Sequence, residues 1–356
     1  MIKLLIVDDS ALMRRQLATL FEGEGDFQIR QARNGKEALT ENREFQPDVI
    51  TLDINMPEMD GLTALSMIMV DRPVAVVMVS SLTEKGALAT FEALNLGAVD
   101  YVAKPSGTIS LSIGDIKDEL LAKVRTAARA RIKVARPNIG GLAKRLRDER
   151  GESKLRPPCL PRGVIQDGIV IIGVSTGGPR TLEDILPFLP NNFPWPVLVA
   201  QHMPAAFTRP FAERLNGLCA LAVVEVAHPM PLEPGTIYIG KGGADILLAQ
   251  RAGQLTVFAK PENREFLWHP SVELMGRSAL EHFNAAQIIA VMLTGMGYDG
   301  ADAFTEIKQG GGRTIAESQE TAVVFGMPAE LIERGGANQV LRAEKIATQI
   351  NLWAGR

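Results

Sequence analysis

A serine lies where a buried strand is predicted to give way to a helix, at Gly173-Val-Ser175-Thr-Gly177. The preceding run Ile169–Ile172 is apolar and β-branched, which is typical of a buried parallel strand, and a helical pattern begins at Arg180. Such a serine is lifted above the sheet, beside helix N-terminal N–H groups that stabilise negative charge, and its spacing fits a nucleophile elbow. An ordinary tight turn, or one that binds phosphate, explains the same residues, so this stretch alone leaves both interpretations open.

A serine nucleophile needs a base, and the chain has four histidines. His202 follows the predicted strand Val197–Ala200 and is therefore expected at the same edge of a parallel sheet as Ser175. Asp299 follows the predicted strand Ile288–Leu293 and is the candidate carboxylate that orients the imidazole. Taken alone, Asp299 is better explained as the N-cap of the following helix than as a catalytic residue. The remaining histidines are predicted to be loop or packing residues: His228, His269 and His282.

The chain order of these candidates excludes one familiar class of hydrolase. Lipase-type enzymes place Ser, Asp and His in that order, whereas this chain runs Ser175, His202, Asp299. Dinucleotide binding is the rival function for this region, with glycines around Gly177 cradling phosphate. The Gly-x-Gly-x-x-Gly spacing fails, however, because Ser175 occupies the second glycine position.

Acidic and basic side chains also end the predicted strands in the first third of the chain. Asp8-Asp9 ends the first strand, Asp53 the third and Ser80-Ser81 the fourth, and Lys104-Pro105 follows the fifth. Three carboxylates brought together repel one another unless a hard cation lies between them, which indicates Mg²⁺ with waters retained. A lysine nearby could balance a phosphoryl group carried by one carboxylate.

The elements that position these residues form two α/β patterns. Residues 1–125 alternate strand and helix and predict a five-stranded, doubly wound parallel sheet. Its predicted strands are Lys3–Val7, Phe27–Ala32, Val49–Leu52, Ala75–Val79 and Ala98–Val102. A second α/β pattern occupies residues 164–356, with helices predicted at Arg180–Leu189, Phe207–Asn216, Val272–Phe283, Asp299–Gln309, Met327–Glu333 and Ala343–Trp353. Its predicted strands are Ile169–Ile172, Val197–Ala200, Ala222–Glu225, Thr236–Ile239, Ile246–Ala249, Gln254–Ala259, Ile288–Leu293 and Gly312–Ala316.

Residues 126–163 are basic, punctuated by glycine and proline, and predict a linker. A nucleic-acid-binding tail is the alternative, but no aromatic residues interleave the charges, and the net charge of −3 favours no nucleic-acid partner. No apolar run reaches the roughly 20 residues that span a bilayer, so no membrane insertion is expected. The apolar N-terminal run ends in Asp8-Asp9 and predicts a strand, not a signal peptide. Two cysteines, Cys159 and Cys219, suit a reducing cytoplasm.

Three motifs of the first domain are Val7-Asp8-Asp9-Ser10, Asp53-Ile-Asn-Met56-Pro57-Glu-Met-Asp60-Gly61 and Tyr101-Val-Ala-Lys104-Pro105. With these motifs, residues 1–125 resemble a response-regulator receiver domain, which has a flavodoxin-like fold. The resemblance implies that Asp53 is the phospho-acceptor and that a histidine kinase is the phosphodonor. It implies a Mg²⁺ site formed by Asp8, Asp9, Asp53 and the backbone carbonyl of Asn55, and three switch residues: Ser80, Tyr101 and Lys104.

The motifs of the second domain are Ile172-Gly-Val-Ser175-Thr176-Gly-Gly-Pro179, Gln201-His202-Met203-Pro204 and Leu293-Thr-Gly-Met296-Gly-Tyr-Asp299-Gly300, followed by Gly311-Gly312-x-Thr314-Ile-Ala316 and Val323-Val-Phe-Gly326-Met327-Pro328. They resemble the chemotaxis protein-glutamate methylesterases, the CheB family, whose catalytic domain is a doubly wound, Rossmann-like α/β fold. The resemblance implies Ser175 as nucleophile, His202 as base and Asp299 as its partner. Thr176 and Met296 are then rim residues with oxyanion-binding backbone N–H groups nearby. One departure is Gly240–Asp245, where the family usually has an alanine-proline-glycine turn.

The resemblance implies a phosphorylation-activated carboxylic ester hydrolase that demethylates glutamates of chemoreceptors and deamidates selected glutamines, giving adaptation in a chemosensory pathway. The esterase step needs no cofactor, the protein is expected to be a cytoplasmic monomer, and the receiver is expected to cover the Ser175 rim until Asp53 is phosphorylated. Two alternatives remain, a phospho-dependent scaffold for receptors or a kinase, and an esterase for a small-molecule methyl ester.

Overall fold

The structure, a computed structural model, describes residues 1–80, 83–104, 116–130, 168–263 and 265–355. The chain divides into two compact units, Met1–Ala135 and Arg136–Arg356. The predicted linker, residues 126–163, lies outside the described residues from position 131 onward, as do Ser81, Pro105 and Cys159. The domain limits 1–125 and 164–356 therefore stay predictions.

The first unit is built on one parallel sheet, as predicted. Its strands are β1 (Ile2–Val7), β2 (Phe27–Ala32), β3 (Val49–Asp53), β4 (Ala75–Ser80) and β5 (Asp100–Ala103). Its helices are α1 (Ala11–Glu22), α2 (Gly35–Glu44), α3 (Gly61–Asp71), α4 (Glu84–Leu96) and α5 (Lys117–Ala127). The spatial order β2-β1-β3-β4-β5, with every pair parallel, confirms the flavodoxin-like fold.

Local sequence explains most of these elements. Strands β3 and β4 are buried along their whole length, because helices cover both faces of a parallel sheet. Four helices begin at a side chain that accepts a hydrogen bond from the first turn: Ser10, Asn34, Asp60 and Thr83. Strand β5 begins at Asp100, two residues later than the predicted Ala98.

The second unit contains a seven-stranded parallel sheet, with strands β6 (Ile169–Val174), β7 (Val197–Gln201), β8 (Ala222–Val226), β10 (Thr236–Gly240), β13 (Ile288–Met292), β14 (Arg313–Glu317) and β15 (Gln339–Leu341). Their spatial order is β15-β14-β13-β6-β7-β10-β8. Its helices are α6 (Gly178–Ile185), α7 (Ala205–Leu218), α8 (Val272–His282), α9 (Ala301–Gln309), α10 (Met327–Glu333) and α11 (Ala343–Ala354). This arrangement confirms a doubly wound α/β domain.

Three differences from the predicted elements have local causes. Strands β11 (Ala244–Arg251) and β12 (Gln254–Pro261) form an antiparallel sheet with the short β9 (Met230–Pro231), because a tight turn joins β11 directly to β12. The predicted helix 180–189 ends at Ile185 and continues as a 3₁₀ turn, Leu186–Phe188, since Pro187 has no N–H for an α-helical bond. The predicted helix at 299–309 begins only at Ala301, because Gly300 has a left-handed backbone conformation with a φ of 85°.

The strand order places a topological switch point in the middle of the sheet. From β6 the chain proceeds to β7 on one side, and from β13 it proceeds to β14 and β15 on the other. Open α/β sheets bind ligands in the crevice that such a reversal leaves at the carboxyl ends of the strands. The turns after β6, β7 and β13 carry the three candidate triad residues, so the fold brings them to this crevice.

Tyr238 on β10 predicts how the second unit responds to alkali. Its side chain is buried in the core, and its hydroxyl donates to Pro231 O and accepts from Glu233 N, both at 2.8 Å. Burial raises the pKa of Tyr238 to about 12. The neutral phenol therefore stabilises the fold below the unfolded pKa of about 10, and this contribution is lost as the pH rises toward 12.

Tyr238→Phe is expected to lower the free energy of unfolding by about 1–2 kcal/mol at neutral pH, because two buried partners lose a hydrogen bond. The difference from the wild type should shrink above about pH 10. Urea unfolding at neutral pH and near pH 11 measures both quantities. Equal stability of the two proteins at neutral pH would contradict the assignment.

Within the described part of the chain, none of the helices combines the length and apolarity needed to cross a membrane.

Candidate active site

Ser175 lies in the turn between β6 and α6, half-buried, and its backbone is held by neighbouring strand ends. Its N–H donates to Thr294 O at 3.0 Å, and its carbonyl accepts from the Gln201 side-chain amide at 3.1 Å. The turn after β13 lies directly against it, since a Cβ built on Gly295 would be 2.7 Å from Ser175 Cβ. Only glycine allows this approach, and the predicted placement of Ser175 at the sheet rim is thereby explained.

His202 follows β7 and contacts Asp299. Its Nε2 lies 2.9 Å from Asp299 Oδ2, and its side chain is 9% exposed. The backbone N–H of His202 donates to Val174 O at 3.1 Å, which extends the β6–β7 pairing up to the serine turn. Among the described residues, the buried Nδ1 of His202 has no hydrogen-bond partner. Nδ1 is therefore the ring nitrogen that can accept a proton from a group other than Asp299.

Asp299 occupies the turn after β13, where four donors surround its carboxylate. Oδ1 accepts from the Ser271 hydroxyl at 3.1 Å and from Glu273 N at 3.0 Å, and Oδ2 accepts from Val272 N at 2.7 Å besides its contact with His202. The alternative role as N-cap of the following helix is wrong, because α9 begins after Gly300 without a side-chain cap. Asp299 instead binds the first amides of α8, which lies earlier in the chain.

The electrostatics of the pair favour a charged carboxylate. Burial alone would raise the pKa of Asp299, but the hydrogen bond and charge of His202 and the amides of Val272 and Glu273 outweigh it, so the pKa is lowered. A helix N-terminus adds favourable field for an anion at this position. Asp299 is therefore ionised at neutral pH and fixes a proton on Nε2 of His202.

Two residues that join these turns, Gln201 and Thr294, were not among the predicted site residues. The Gln201 side-chain amide donates to Ser175 O at 3.1 Å and to His202 O at 3.0 Å. The Thr294 hydroxyl donates to Thr176 O at 2.9 Å and accepts from Val324 N at 3.0 Å. The available signal was that Gln201 ends the otherwise apolar strand β7 and Thr294 closely follows the apolar strand β13, where a buried polar side chain must find partners.

Thr176 lies in the same turn as Ser175, and Met296 lies in the turn after β13 that packs against it. Thr176 is buried, and Met296 is partly buried between Gly295 and Gly297. The carbonyl of Gly295 accepts from Gly326 N and Met327 N at 3.1 and 2.9 Å, which fixes the turn that carries Met296. Their predicted part in an oxyanion hole stays a prediction.

The first unit gathers its predicted acidic residues at the carboxyl ends of β1 and β3. Asp8, Asp9 and Asp53 each offer one oxygen such that these atoms lie within 4.8 Å of one another. Asp8 and Asp53 are buried, whereas Asp9 is exposed. Arg14 of α1 donates to the carbonyls of Asp8 and Asp9 at 2.8 and 3.0 Å, which holds the turn. Three clustered carboxylate oxygens fit the preference of Mg²⁺ for hard oxygen ligands.

Lys104 lies between two of these carboxylates, with Nζ 2.8 Å from Asp53 Oδ2 and 2.9 Å from Asp8 Oδ2. Burial raises the pKa of Asp53, and Lys104 offsets this only in part. Burial would lower the pKa of Lys104, but the charges of Asp53 and Asp8 outweigh it and raise the pKa. The cluster thus contains a cation suited to a phosphoryl group at Asp53.

The remaining predicted receiver residues are Ser80, Asn55 and Tyr101. Ser80 is buried at the end of β4 and its hydroxyl donates to Gly86 O at 3.3 Å, while Asn55 is exposed two residues after Asp53. Tyr101 is buried, and burial raises its pKa well above the ordinary value. Lys123 of α5 donates to Tyr101 O at 2.7 Å and lies 5.0 Å from its ring centroid.

These features define a receiver-type domain joined to an α/β domain with a serine, a histidine and an aspartate at its switch point. A family model described as CheB methylesterase matches residues 170–350, and one described as response regulator receiver domain matches residues 4–112. The protein-glutamate methylesterase/protein-glutamine glutaminase 3 of Rhodospirillum rubrum is 55% identical, and the similarity covers 100% of this chain and 97% of that protein.

A second relative, protein-glutamate methylesterase/protein-glutamine glutaminase 2 of Rhodopseudomonas palustris, is 50% identical over 99% of this chain and 98% of its own length. The crystal structure of the CheB methylesterase catalytic domain of Thermotoga maritima matches with a TM-score of 0.51 and 41% identity, covering 52% of this chain and 98% of that one. The chain therefore belongs to the CheB methylesterase family, with an N-terminal receiver domain, as the sequence motifs predicted.

Proposed function

We propose that this protein hydrolyses glutamate methyl esters on chemoreceptors, deamidates selected receptor glutamines at the same site, and is activated by phosphorylation of its receiver domain. The names of its relatives support the substrate, and one observation supports the chemistry. One ring nitrogen of His202 contacts the buried, ionised Asp299, and the other has no partner among the described residues. His202 follows β7, which is the neighbour of the strand that precedes Ser175.

In this proposal Ser175 Oγ attacks the ester carbonyl as Nδ1 of His202 takes its proton. The tetrahedral intermediate collapses when His202 returns that proton to the leaving methoxide, and methanol departs. Water then attacks the acyl-enzyme with the same base, which releases glutamate and free Ser175. In deamidation ammonia replaces methanol as the leaving group, and the other steps are unchanged.

The roles of the two imidazole nitrogens follow from the hydrogen bonds. In the chymotrypsin triad the aspartate contacts Nδ1 and Nε2 serves as the base. Here Asp299 contacts Nε2, which supports Nδ1 as the proton acceptor. The backbone N–H groups near Thr176 and Met296 are proposed to bind the developing oxyanion, since both turns flank Ser175.

For the receiver we propose Asp53 as the phospho-acceptor and a histidine kinase as the donor. Asp8, Asp9, Asp53 and the carbonyl of Asn55 would hold Mg²⁺, which supplies positive charge toward the phosphoryl oxygens. Lys104 would contact the phosphoryl group. Ser80 and Tyr101 would respond to it, with a change in the populations of two conformations as the result. A monomeric state and a cytoplasmic location stay predictions.

The deciding experiment measures methanol release from methylated receptor membranes, with and without acetyl phosphate and Mg²⁺. We expect release that rises with the phosphodonor, and we expect this rise to disappear with EDTA or in Asp53→Asn while basal release persists. Asp71→Asn, which removes a surface partner of Arg43, is the matched control and should retain the rise.

Two other outcomes would change the proposal. If methanol release does not depend on the phosphodonor, the esterase activity is supported and activation by phosphorylation is refuted. If the protein hydrolyses small methyl esters but releases no methanol from receptors, its substrate is a small molecule. If it hydrolyses neither, the alternative function as a phospho-dependent scaffold is favoured.

A further inference from the structure

The indole of Trp268 stacks on the imidazole of His202. The ring centroids are 5.9 Å apart and the ring planes differ by 6°. Trp268 also meets the ring of Tyr298 edge-on, with centroids 5.2 Å apart, and Tyr298 immediately precedes Asp299. A single aromatic side chain from a segment outside the helices and strands thus touches the histidine and the turn that bears its partner.

One buried carboxylate anchors the segment on both sides of Trp268. Asp245, 1% exposed at the start of β11, accepts from Ser271 N at 2.8 Å and from Asn263 N at 3.3 Å. Its Oδ1 lies 2.9 Å from His269 Nδ1, and Nε2 of His269 lies 3.2 Å from Phe266 O. Because the residues before and after the indole bind the same group or its histidine, Trp268 has little freedom to leave His202.

The loop that supplies Asp245 also packs against the backbone that follows His202. This loop, Gly240–Asp245, is where the chain departs from the usual family turn. A Cβ on Gly242 would lie 2.1 Å from Met203 O and 2.6 Å from Ala205 N, so its backbone packs tightly against the residues that follow His202. The departure therefore coincides with close backbone packing against the residues that follow His202.

We propose that Trp268 is a positioning residue for the hydrolytic reaction, held in place by Asp245 and His269. A stacked indole restricts rotation of the imidazole about its Cβ–Cγ bond and so holds the ring plane, and with it Nδ1, in one orientation. Aromatic stacking supplies about 0.5–1.5 kcal/mol beyond burial, and a displacement of about 1 Å at a reacting group can cost 100-fold in rate. This inference rests on His202 acting as the base.

Contact with substrate is the other role for an aromatic residue beside the site, since its neighbour Leu267 is 73% exposed and Tyr298 is 50% exposed. The two roles separate kinetically. A positioning residue lowers kcat and the intrinsic reactivity of Ser175, whereas a substrate contact raises KM and leaves that reactivity unchanged.

The test uses the full-length chain and two assays, methanol release from receptor membranes and the labelling rate of Ser175 by a fluorophosphonate probe. We expect Trp268→Ala to lower kcat and the labelling rate about 10- to 100-fold with little change in KM. Trp268→Phe should recover most of the rate, because a ring remains. Asp245→Ala should reproduce the loss, and Asp245→Asn should be milder because Oδ1 is kept. Trp353→Phe, which alters a tryptophan packed on Arg313, is the matched control.

Each outcome decides the proposal. Unchanged labelling in Trp268→Ala, or a raised KM alone, overturns it. If Trp268→Ala unfolds in thermal melts, Trp268→Leu and Trp268→Phe are compared, and equal labelling of these two also overturns it. A wild type that labels at Ser175 but releases no methanol refutes the proposed substrate, while the labelling comparison still decides the role of Trp268. A wild type that is not labelled refutes both proposals.

Discussion

Ser175→Ala is expected to lower kcat for methanol release and for glutamine deamidation by about 10⁴- to 10⁶-fold, the range seen when a triad nucleophile is removed. The change removes the one protein atom that bonds to the substrate carbonyl in the proposed reaction. It should hardly affect the fold, because the hydrogen bonds that join Ser175 to Thr294 and Gln201 are made by its backbone and not by its hydroxyl. Phosphorylation of Asp53 by acetyl phosphate should be unchanged.

The measurement is methanol release at saturating receptor, with phosphorylation of the receiver followed in the same samples. Ser278→Ala is a suitable control, since Ser278 is a buried serine of α8 that donates to Leu248 O and accepts from Leu248 N, and we expect its kcat to stay near wild type. Activity of Ser175→Ala within about tenfold of wild type would refute the nucleophile, because a residual rate from binding and oxyanion contacts alone is far smaller.

Asp299→Asn is expected to lower kcat by about 10³- to 10⁴-fold, with KM nearly unchanged. Each carboxylate oxygen of Asp299 accepts from donors: Ser271 and Glu273 bond to one, and His202 and Val272 to the other. An amide has a single acceptor oxygen, so its NH₂ must face a donor in either orientation. Either α8 loses its first-turn partner, or the proton on His202 moves to Nδ1, the nitrogen that serves as the base.

The same substitution has a pH signature. Because the pKa of Asp299 is lowered in the folded state, its carboxylate stabilises the fold fully above the unfolded pKa of about 4, and this contribution is lost as the pH falls through the folded value. Asp299→Asn should therefore be less stable than wild type by about 1–3 kcal/mol at neutral pH, with a smaller difference below about pH 4.

Urea unfolding at pH 7 and pH 3.5, about half a unit below the unfolded pKa, measures this difference. Asp302→Asn is the control, because Asp302 is an exposed partner of Arg334, and such surface pairs contribute about 1 kcal/mol or less. If the stability difference between Asp299→Asn and the wild type is as large at the low pH as at pH 7, the carboxylate charge of Asp299 does not stabilise the fold.

Local pattern was enough for the receiver and for the strand ends of the second unit. Apolar runs such as Val49–Leu52, bounded by polar turns, predict buried parallel strands, and the carboxyl ends of parallel strands must share an edge. That argument placed Asp53 near Asp8 and His202 near Ser175 without knowledge of the strand order. It failed at boundaries, as at Asp299, where Gly300 and not the aspartate is the N-cap of the helix.

The rest depends on contacts between residues distant in the chain. The hydrogen bonds from Val272 and Glu273 to Asp299 span 27 and 26 positions, and the stacking of Trp268 on His202 spans more than twice that interval. No periodicity or motif encodes such a pairing. The choice between Nδ1 and Nε2 of His202 likewise follows only from the side on which Asp299 approaches the ring, which is a property of the packed domain.

The shared carboxylate of Asp299 has a consequence for interpreting relatives of this protein. A residue that closes the first turn of a buried helix is under selection for folding even where catalysis has been abandoned. A family member that has become a non-catalytic binding protein should thus keep this aspartate long after its serine has drifted. The serine side chain has no comparable role in folding. Its position is therefore more informative than that of the aspartate for deciding from sequence whether a homologue is still an enzyme.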